Sequence, residues 1–184
     1  WYLIYPYIQY RDGDKLIFHL NYCSEYPLLE KIKEDFPWCR AIYTIHYQKW
    51  CFTLKGNTSW FKHIIRKRKE DLAGEEEKKA FEIYEAEKKM YALADQVICL
   101  SEYTRQLLIT EYHIPPLKIA RICNGLDDEA VILTEADQVE LKKQLGFAGT
   151  DKIILYAGRL EDNKGVDVLI RAFNRVVAGY PATT

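Results

Sequence analysis

"QVICLSEYTRQLLITEYHIPPLKIARICN", residues 96–124, sets two short apolar runs on either side of one helical pattern. The runs are "QVICLS" (96–101) and "KIARICN" (118–124), and the helical pattern covers 101–112. Continuous apolar runs of this length, rich in β-branched residues, suit strands buried on both faces. A strand, a helix and a second strand in that order argue for a parallel α/β sheet.

The same alternation continues outward. Further strand-like runs are "KLIFHLN" (15–21), "RAIYTIHY" (40–47) and "KIILYAG" (152–158). Helical patterns fill the gaps at 26–36, over a long stretch of about 58–94, at 134–147 and at 164–179. In the last of these, Val166, Leu169, Ile170, Phe173, Val176 and Val177 keep the spacing of one buried stripe. That helix is expected to pack back on the 152–158 strand.

"NGLDDE" (124–129) joins a turn signal to three acids, and it is the expected seam between a first domain over 1–126 and a second that begins at 127. The second would contain a single strand, loop and helix. A lone strand lacks the neighbours that a parallel sheet needs. The chain therefore reads as a segment of a larger protein.

Composition narrows the function classes. Of the 184 residues, 48% are hydrophobic and 14% aromatic, enough to build a packed core. The 27 acidic and 26 basic residues nearly cancel, so nothing in the overall charge points to nucleic acid. Any polyanion site must be local. Five cysteines without a Cys-x-x-Cys pair suggest neither a zinc knuckle nor a complete disulfide framework, which fits a reducing cytosol. No apolar run is long enough to cross a bilayer.

One local anion site stands out. In "AGRLEDNKG" (157–165), Gly158 ends the apolar run, Arg159 and Lys164 share the turn, and Gly165 lets the backbone enter a helix. Helix N-termini favour phosphates, and Arg and Lys add charge and directed hydrogen bonds. A solvated loop whose charges cap a helix fits the same spacing, and neither a P-loop nor a Gly-x-Gly-x-x-Gly turn is present.

The order of motifs resembles the retaining sugar-nucleotide glycosyltransferases of family 4, which have the GT-B fold. "LIFHLNY" (16–22) is similar to that family's His-x-His strand, with Asn21 where a second histidine often sits. "AIYTIHY" (41–47) resembles its Thr-x-His strand end. The stretch 92–127 resembles the close of its first Rossmann-like domain, and "KIILYAGRLEDNKGVDVLIRAF" (152–173) the opening of its second. The resemblance implies that Gly158, Arg159 and Lys164 bind the donor diphosphate. It implies that His46 serves catalysis beside the donor sugar, at the carboxyl end of its strand, where open α/β sheets bind ligands. It further implies a metal-independent transfer, without cofactor, from a nucleotide-diphosphate sugar to a glycan or lipid-linked acceptor with retention of configuration. The family's glycine-rich first loop would precede Trp1 and its Glu-x7-Glu signature would follow Thr184, so the segment alone is expected to be inactive.

"TSWFKHIIRKRKEDL" (58–72) places Trp60, Phe61, Ile64 and Ile65 on one helical side and Lys62, Arg66, Lys67 and Lys69 mostly on the other. That pattern fits peripheral contact with an anionic membrane from the cytoplasmic side. The acids that follow cancel the charge within about a Debye length, roughly 8–10 Å, and favour a helix packed on its own domain. A GT-B-fold sugar-nucleotide epimerase and a non-catalytic binding subunit are the alternatives. His19, inside its strand, and His63 and His113, without metal spacing, receive no role.

Overall fold

The computed structural model describes residues 5–21, 25–125, 131–161 and 164–180. The chain divides into two compact units, Trp1–Gly125 and Leu126–Thr184. Part of "NGLDDE" lies outside the described residues, at 126–130.

The first unit is built on four parallel strands, β1 (Ile17–Leu20), β2 (Arg40–Ile45), β3 (Gln96–Cys99) and β4 (Ile119–Arg121), ordered β1-β2-β3-β4. Five helices join them: α1 (Tyr26–Asp35), α2 (Trp50–Thr53), α3 (Thr58–Ile64), α4 (Gly74–Leu93) and α5 (Glu102–Thr110). Sequence accounts for their ends. Pro27 sits in the first turn of α1, where its missing N–H costs nothing. The Asn57 side chain accepts the Trp60 N–H at 3.0 Å to cap α3, and Ser101 Oγ accepts the Thr104 N–H at 3.1 Å to cap α5. Gly74, at φ +70°, turns the chain into α4, whose first turn carries three acids toward the positive end of the helix dipole.

The stretch expected as one helix over 58–94 is therefore two. Between α3 and α4 lie a basic turn and a short 3-10 turn at Lys69–Asp71, and the left-handed Gly74 begins a new helix axis.

α1, α2 and α3 all pack on α4. Alternate strand residues face them: Leu20 from β1, Ala41, Tyr43 and Ile45 from β2, Val97 and Cys99 from β3, and Ile119 from β4 are all buried. Trp50 and Phe61 stack at the centre, with ring centroids 4.0 Å apart and 8° between planes. The intervening residues His19, Ile42, Ile98 and Ala120 are only half-buried or exposed. Thr44 on that face is buried, so among the described residues burial on both sheet faces, expected from the apolar runs, is full on one and partial on the other. Strands in sequence order joined by crossovers of one hand put their helices on the same face.

The second unit contains α6 (Glu135–Gln144) and α7 (Val166–Gly179). Thr134 and Asp137 close a reciprocal capping box at the start of α6. Residues 152–158, expected as a strand, form no ladder, and Ile154 and Leu155 are 62% and 83% exposed. A strand exists only by pairing, and the described residues of this unit supply no partner strand. The expected packing of α7 is likewise incomplete. Val166, Leu169, Phe173 and Val177 are half-buried, while Ile170 and Val176 remain exposed.

Candidate functional site

His46 is the first residue after β2, at the carboxyl end of the sheet, and it is exposed. Its Nε2–H donates to Asn21 Oδ1 at 3.0 Å. Asn21 is the first residue after β1, and its own N–H donates to the Glu25 carboxylate at 3.2 Å. Parallel pairing of β1 with β2 sets the two side chains at the same edge. The imidazole is thereby oriented by a neutral amide, and Nδ1 remains for a second hydrogen bond. Sequence reading noticed Asn21 only as a replacement for histidine; its part in holding His46 comes from the strand register.

His19 lies one strand residue inward on the half-open face, 2.7 Å from Thr44 Oγ1 through Nε2. It does not reach the edge where His46 stands.

Behind His46 the chain turns inward. Gln48 and Trp50 are buried, and the Gln48 amide nitrogen and Trp50 indole nitrogen complete no hydrogen bond among the described residues. The Lys49 N–H donates to Glu87 Oε1 of α4 at 2.8 Å. The Tyr112 hydroxyl, just beyond α5, donates to Glu87 Oε2. Glu87 is 1% exposed, and burial pushes its carboxyl up to about 7 against the opposing pull of Tyr112 and Lys49. Sequence alone gave no sign of it, because "YEAEKKM" (84–90) reads as a solvated helix face.

The loop of the second unit carries Arg159 and Lys164 in the open. The Arg159 guanidinium lies 2.8 Å from Glu161 with its side chain 74% exposed, and Lys164 is also exposed. Residues 162 and 163, between them, are outside the described residues. The Lys164 N–H donates to the Glu161 carbonyl at 2.9 Å, and the Tyr156 hydroxyl donates to the Arg159 carbonyl at 2.7 Å. Gly158 matters to that second bond. A Cβ there would stand 2.8 Å from the Tyr156 hydroxyl, so any side chain would displace the tyrosine from the loop. Gly165, at φ +65°, then admits the chain to α7.

The basic stretch 58–72 is committed elsewhere. Phe61 and Ile64 are fully buried in the core, not turned outward as an amphipathic membrane helix requires. Lys62 and Arg66 each lie 3.1 Å from Glu111, and Lys67 lies 2.7 Å from Glu77. Glu77 is drawn down to about 2, chiefly by the Lys67 ammonium and then by the Ala73 N–H, with a smaller pull from the Trp60 indole N–H. No helix among the described residues is long and apolar enough to cross a membrane.

Residues 19–130 match Glycosyltransferase Family 4, and residues 137–182 match Glycosyl transferases group 1. The chain belongs to glycosyltransferase family 4. The first match contains Asn21, His46 and Glu87, and the second contains Gly158, Arg159 and Lys164. The family's fold is GT-B, in agreement with the parallel α/β sheet. The D-inositol 3-phosphate glycosyltransferase of Stackebrandtia nassauensis is 26% identical over an alignment of 150 residues that covers 74% of this chain and 33% of that protein. The mannosylfructose-phosphate synthase of Agrobacterium fabrum is 31% identical over 93 residues, 50% of this chain and 20% of that protein. This family 4 chain thus spans a third or less of the length of these relatives.

Proposed function

We propose that this chain is part of a retaining hexosyltransferase that moves a sugar from a nucleotide-diphosphate donor to a glycan or lipid-linked acceptor. The carrying observation is His46, an exposed imidazole at the carboxyl edge of the sheet, oriented by Asn21 within a chain of glycosyltransferase family 4. In this reading the unit through Gly125 belongs to the acceptor-side domain, and the unit from Leu126 opens the donor-side domain.

Arg159 and Lys164 hold the donor diphosphate at the start of α7. Arg159 exchanges Glu161 for a phosphate, offering two parallel hydrogen bonds, while Lys164 contributes a point charge. As the glycosidic bond to the diphosphate breaks, negative charge grows on the leaving oxygen, and both cations stabilise that transition state more than the bound donor. The acceptor hydroxyl attacks from the face the diphosphate leaves, and the leaving diphosphate takes its proton. Configuration is then retained. His46 hydrogen-bonds the donor sugar as positive charge develops on its ring. No metal or other cofactor is needed, since the two cations neutralise the diphosphate. The site works in the cytoplasm, where nucleotide sugars are available; any contact with a membrane surface would involve side chains other than the buried Phe61 and Ile64.

The test is to assay the full-length protein with a panel of nucleotide sugars. Acceptors would include lipid-linked glycans and D-inositol 3-phosphate, after which one relative is named. The expected result is acceptor-dependent nucleotide release without added metal, with the donor's anomeric configuration kept in the product. A product of inverted configuration, or epimerised donor without transfer, would refute it.

A further inference from the structure

Glu87 is a buried acid that the sugar-transfer reading leaves without a task, and its contacts lead back to His46. We propose that Glu87 is a positioning residue for His46, its carboxylate fixing the segment that leaves β2 and thereby the imidazole's place at the sheet edge. The proposal rests on the role given to His46 above.

Two anchors bracket the segment. At one end, Ile45 is the last β2 residue in register with β3, paired with Cys99. At the other, the Lys49 N–H donates to Glu87 Oε1 at 2.8 Å. Only His46, Tyr47 and Gln48 lie between. The turns that follow start from the same point: the Cys51 N–H donates to the Gln48 carbonyl and the Phe52 N–H to the Lys49 carbonyl, each at 3.1 Å. Moving Lys49 therefore moves the start of α2 and the tether on His46 together.

The other carboxylate oxygen accepts from Tyr112, so one buried group joins α4, the turn after β2 and the chain beyond α5. Tyr112 itself is 2% exposed. A buried carboxylate needs a partner for each oxygen, and here both partners are uncharged donors. The Lys49 ammonium bears on it from further off, and Glu87 adds to the burial that pushes the Cys51 thiol up to about 11. A solvated or merely space-filling role calls for no such arrangement. A leucine would fill the volume without leaving an acid in the core.

Removing the carboxylate leaves the Lys49 N–H without its acceptor in a buried place, which the chain relieves by shifting toward water. A displacement of about 1 Å at a catalytic group costs up to about 100-fold in rate.

The experiment is a double-mutant cycle on the full-length enzyme, with Glu87→Ala, Glu87→Gln, His46→Ala and the Glu87→Ala/His46→Ala pair. Turnover and donor KM are read for each. Glu87→Ala is expected to lower kcat by about 10- to 100-fold with donor KM little changed. Glu87→Gln, which keeps an acceptor for Lys49, should recover most of that loss. In the His46→Ala background the Glu87→Ala loss should vanish, because Glu87 acts through His46. The imidazole resonance of His46 in histidine-labelled enzyme, assigned by its disappearance in His46→Ala, should shift in Glu87→Ala before any substrate is added.

A Glu87→Ala loss that persists whole in the His46→Ala background, or an unmoved His46 resonance, overturns the positioning role alone. A silent His46→Ala removes the catalytic reading of His46, and the resonance shift still decides whether Glu87 places it. Should Glu87→Ala fail to fold, Glu87→Leu, which fills the volume yet likewise leaves the Lys49 N–H without its acceptor, replaces it in the same cycle with the same expected and overturning outcomes.

Discussion

"QVIC" at 96–99 and "KIILY" at 152–156 are the same kind of sequence, yet only the first is a strand. β3 has a parallel partner on each side, β2 and β4, α5 packs on it, and its Val97 and Cys99 are buried in the core. Residues 152–156 have no ladder, and Leu155 is 83% exposed. Local preference is thus a condition for a strand and not its cause; the backbone groups must find partners across a sheet. The contrast carries over to function. His46 stands on a packed edge with a fixed hydrogen-bond partner, whereas Arg159 and Lys164 lie on an exposed loop where Arg159 pairs with Glu161, a near neighbour in sequence.

The largest expected effect falls on the exposed loop, despite its thin packing. In full-length enzyme, Lys164→Ala should raise the transfer barrier by roughly 2–4 kcal/mol if, as proposed, the deleted charge serves the leaving diphosphate. Donor binding weakens as well. Arg159→Lys should restore only part of what Arg159→Ala loses, since a point charge cannot reproduce the planar two-pronged contact. An exposed helix-end charge without a ligand would cost about 1 kcal/mol of stability or less, and no turnover. Normal kinetics in all three variants would end the diphosphate clamp.

On the packed side, His46→Ala should reduce turnover on the order of 100-fold, as loss of one hydrogen bond made in the transition state does. Its melting temperature should barely move, since the side chain is exposed and contributes one hydrogen bond to Asn21. Wild-type turnover in that variant would return the residue to a structural role.

Two carboxylates of α4 sharpen the comparison within the packed unit. Glu77 meets Lys67 and is drawn down to about 2, while Glu87 meets only uncharged donors in full burial and is pushed up to about 7. The signs follow. Folded protein holds the Glu87 proton more tightly than unfolded chain, so ionisation costs stability as pH rises from the ordinary 4.5 toward about 7. Glu77 does the reverse: its stabilisation is present above 4.5 and disappears as pH falls through about 2. Between about pH 5 and about pH 6.5, Glu87 should remove about 2 kcal/mol of stability. Denaturation midpoints followed by tryptophan fluorescence in the full chain read this directly. Glu87→Gln should flatten the decline, and an equal decline in that variant would assign it to other groups.

How far sequence reaches also divides along this line. The four paired strands were legible because apolar, β-branched runs alternated with helical patterns, and their parallel order followed. The break between α3 and α4 was not, since the basic run at 66–69 has good helix propensity and the decision lies with the left-handed Gly74. His46 is singled out by the family resemblance; its place at a strand end agrees with that, but a lone histidine on a strand reads by itself as structural. Glu87 was not legible, because an acid amid lysines on a helix looks solvated until Trp50, Tyr112 and the turn after β2 close over it. How fully the sheet's second face is covered is not legible in the apolar runs, which do not record how many layers will pack; among the described residues it is covered in part.

The smallest effect tests whether the two units differ in stability as they do in packing. Ser101 caps α5, whose Leu107 and Leu108 lie in the core, and Thr134 caps α6, none of whose residues is buried. The two deletions are chemically alike: each Ser or Thr to Ala change removes one oxygen that accepts a helix N–H, at a cost of about 1 kcal/mol. Where the helix is part of a cooperative core, that cost is felt wherever the core must open. In Ser101→Ala, amide exchange should therefore quicken about fivefold even in β2 and β3, far from the cap. Where the helix buries nothing, fraying stays local, and Thr134→Ala should quicken exchange in α6 and leave the strands unchanged. Exchange measured by mass spectrometry on the full-length protein separates the cases. Faster strand exchange in Thr134→Ala would mean that α6 shares the stability of the core in the whole protein, and the contrast between the units would then be one of packing alone.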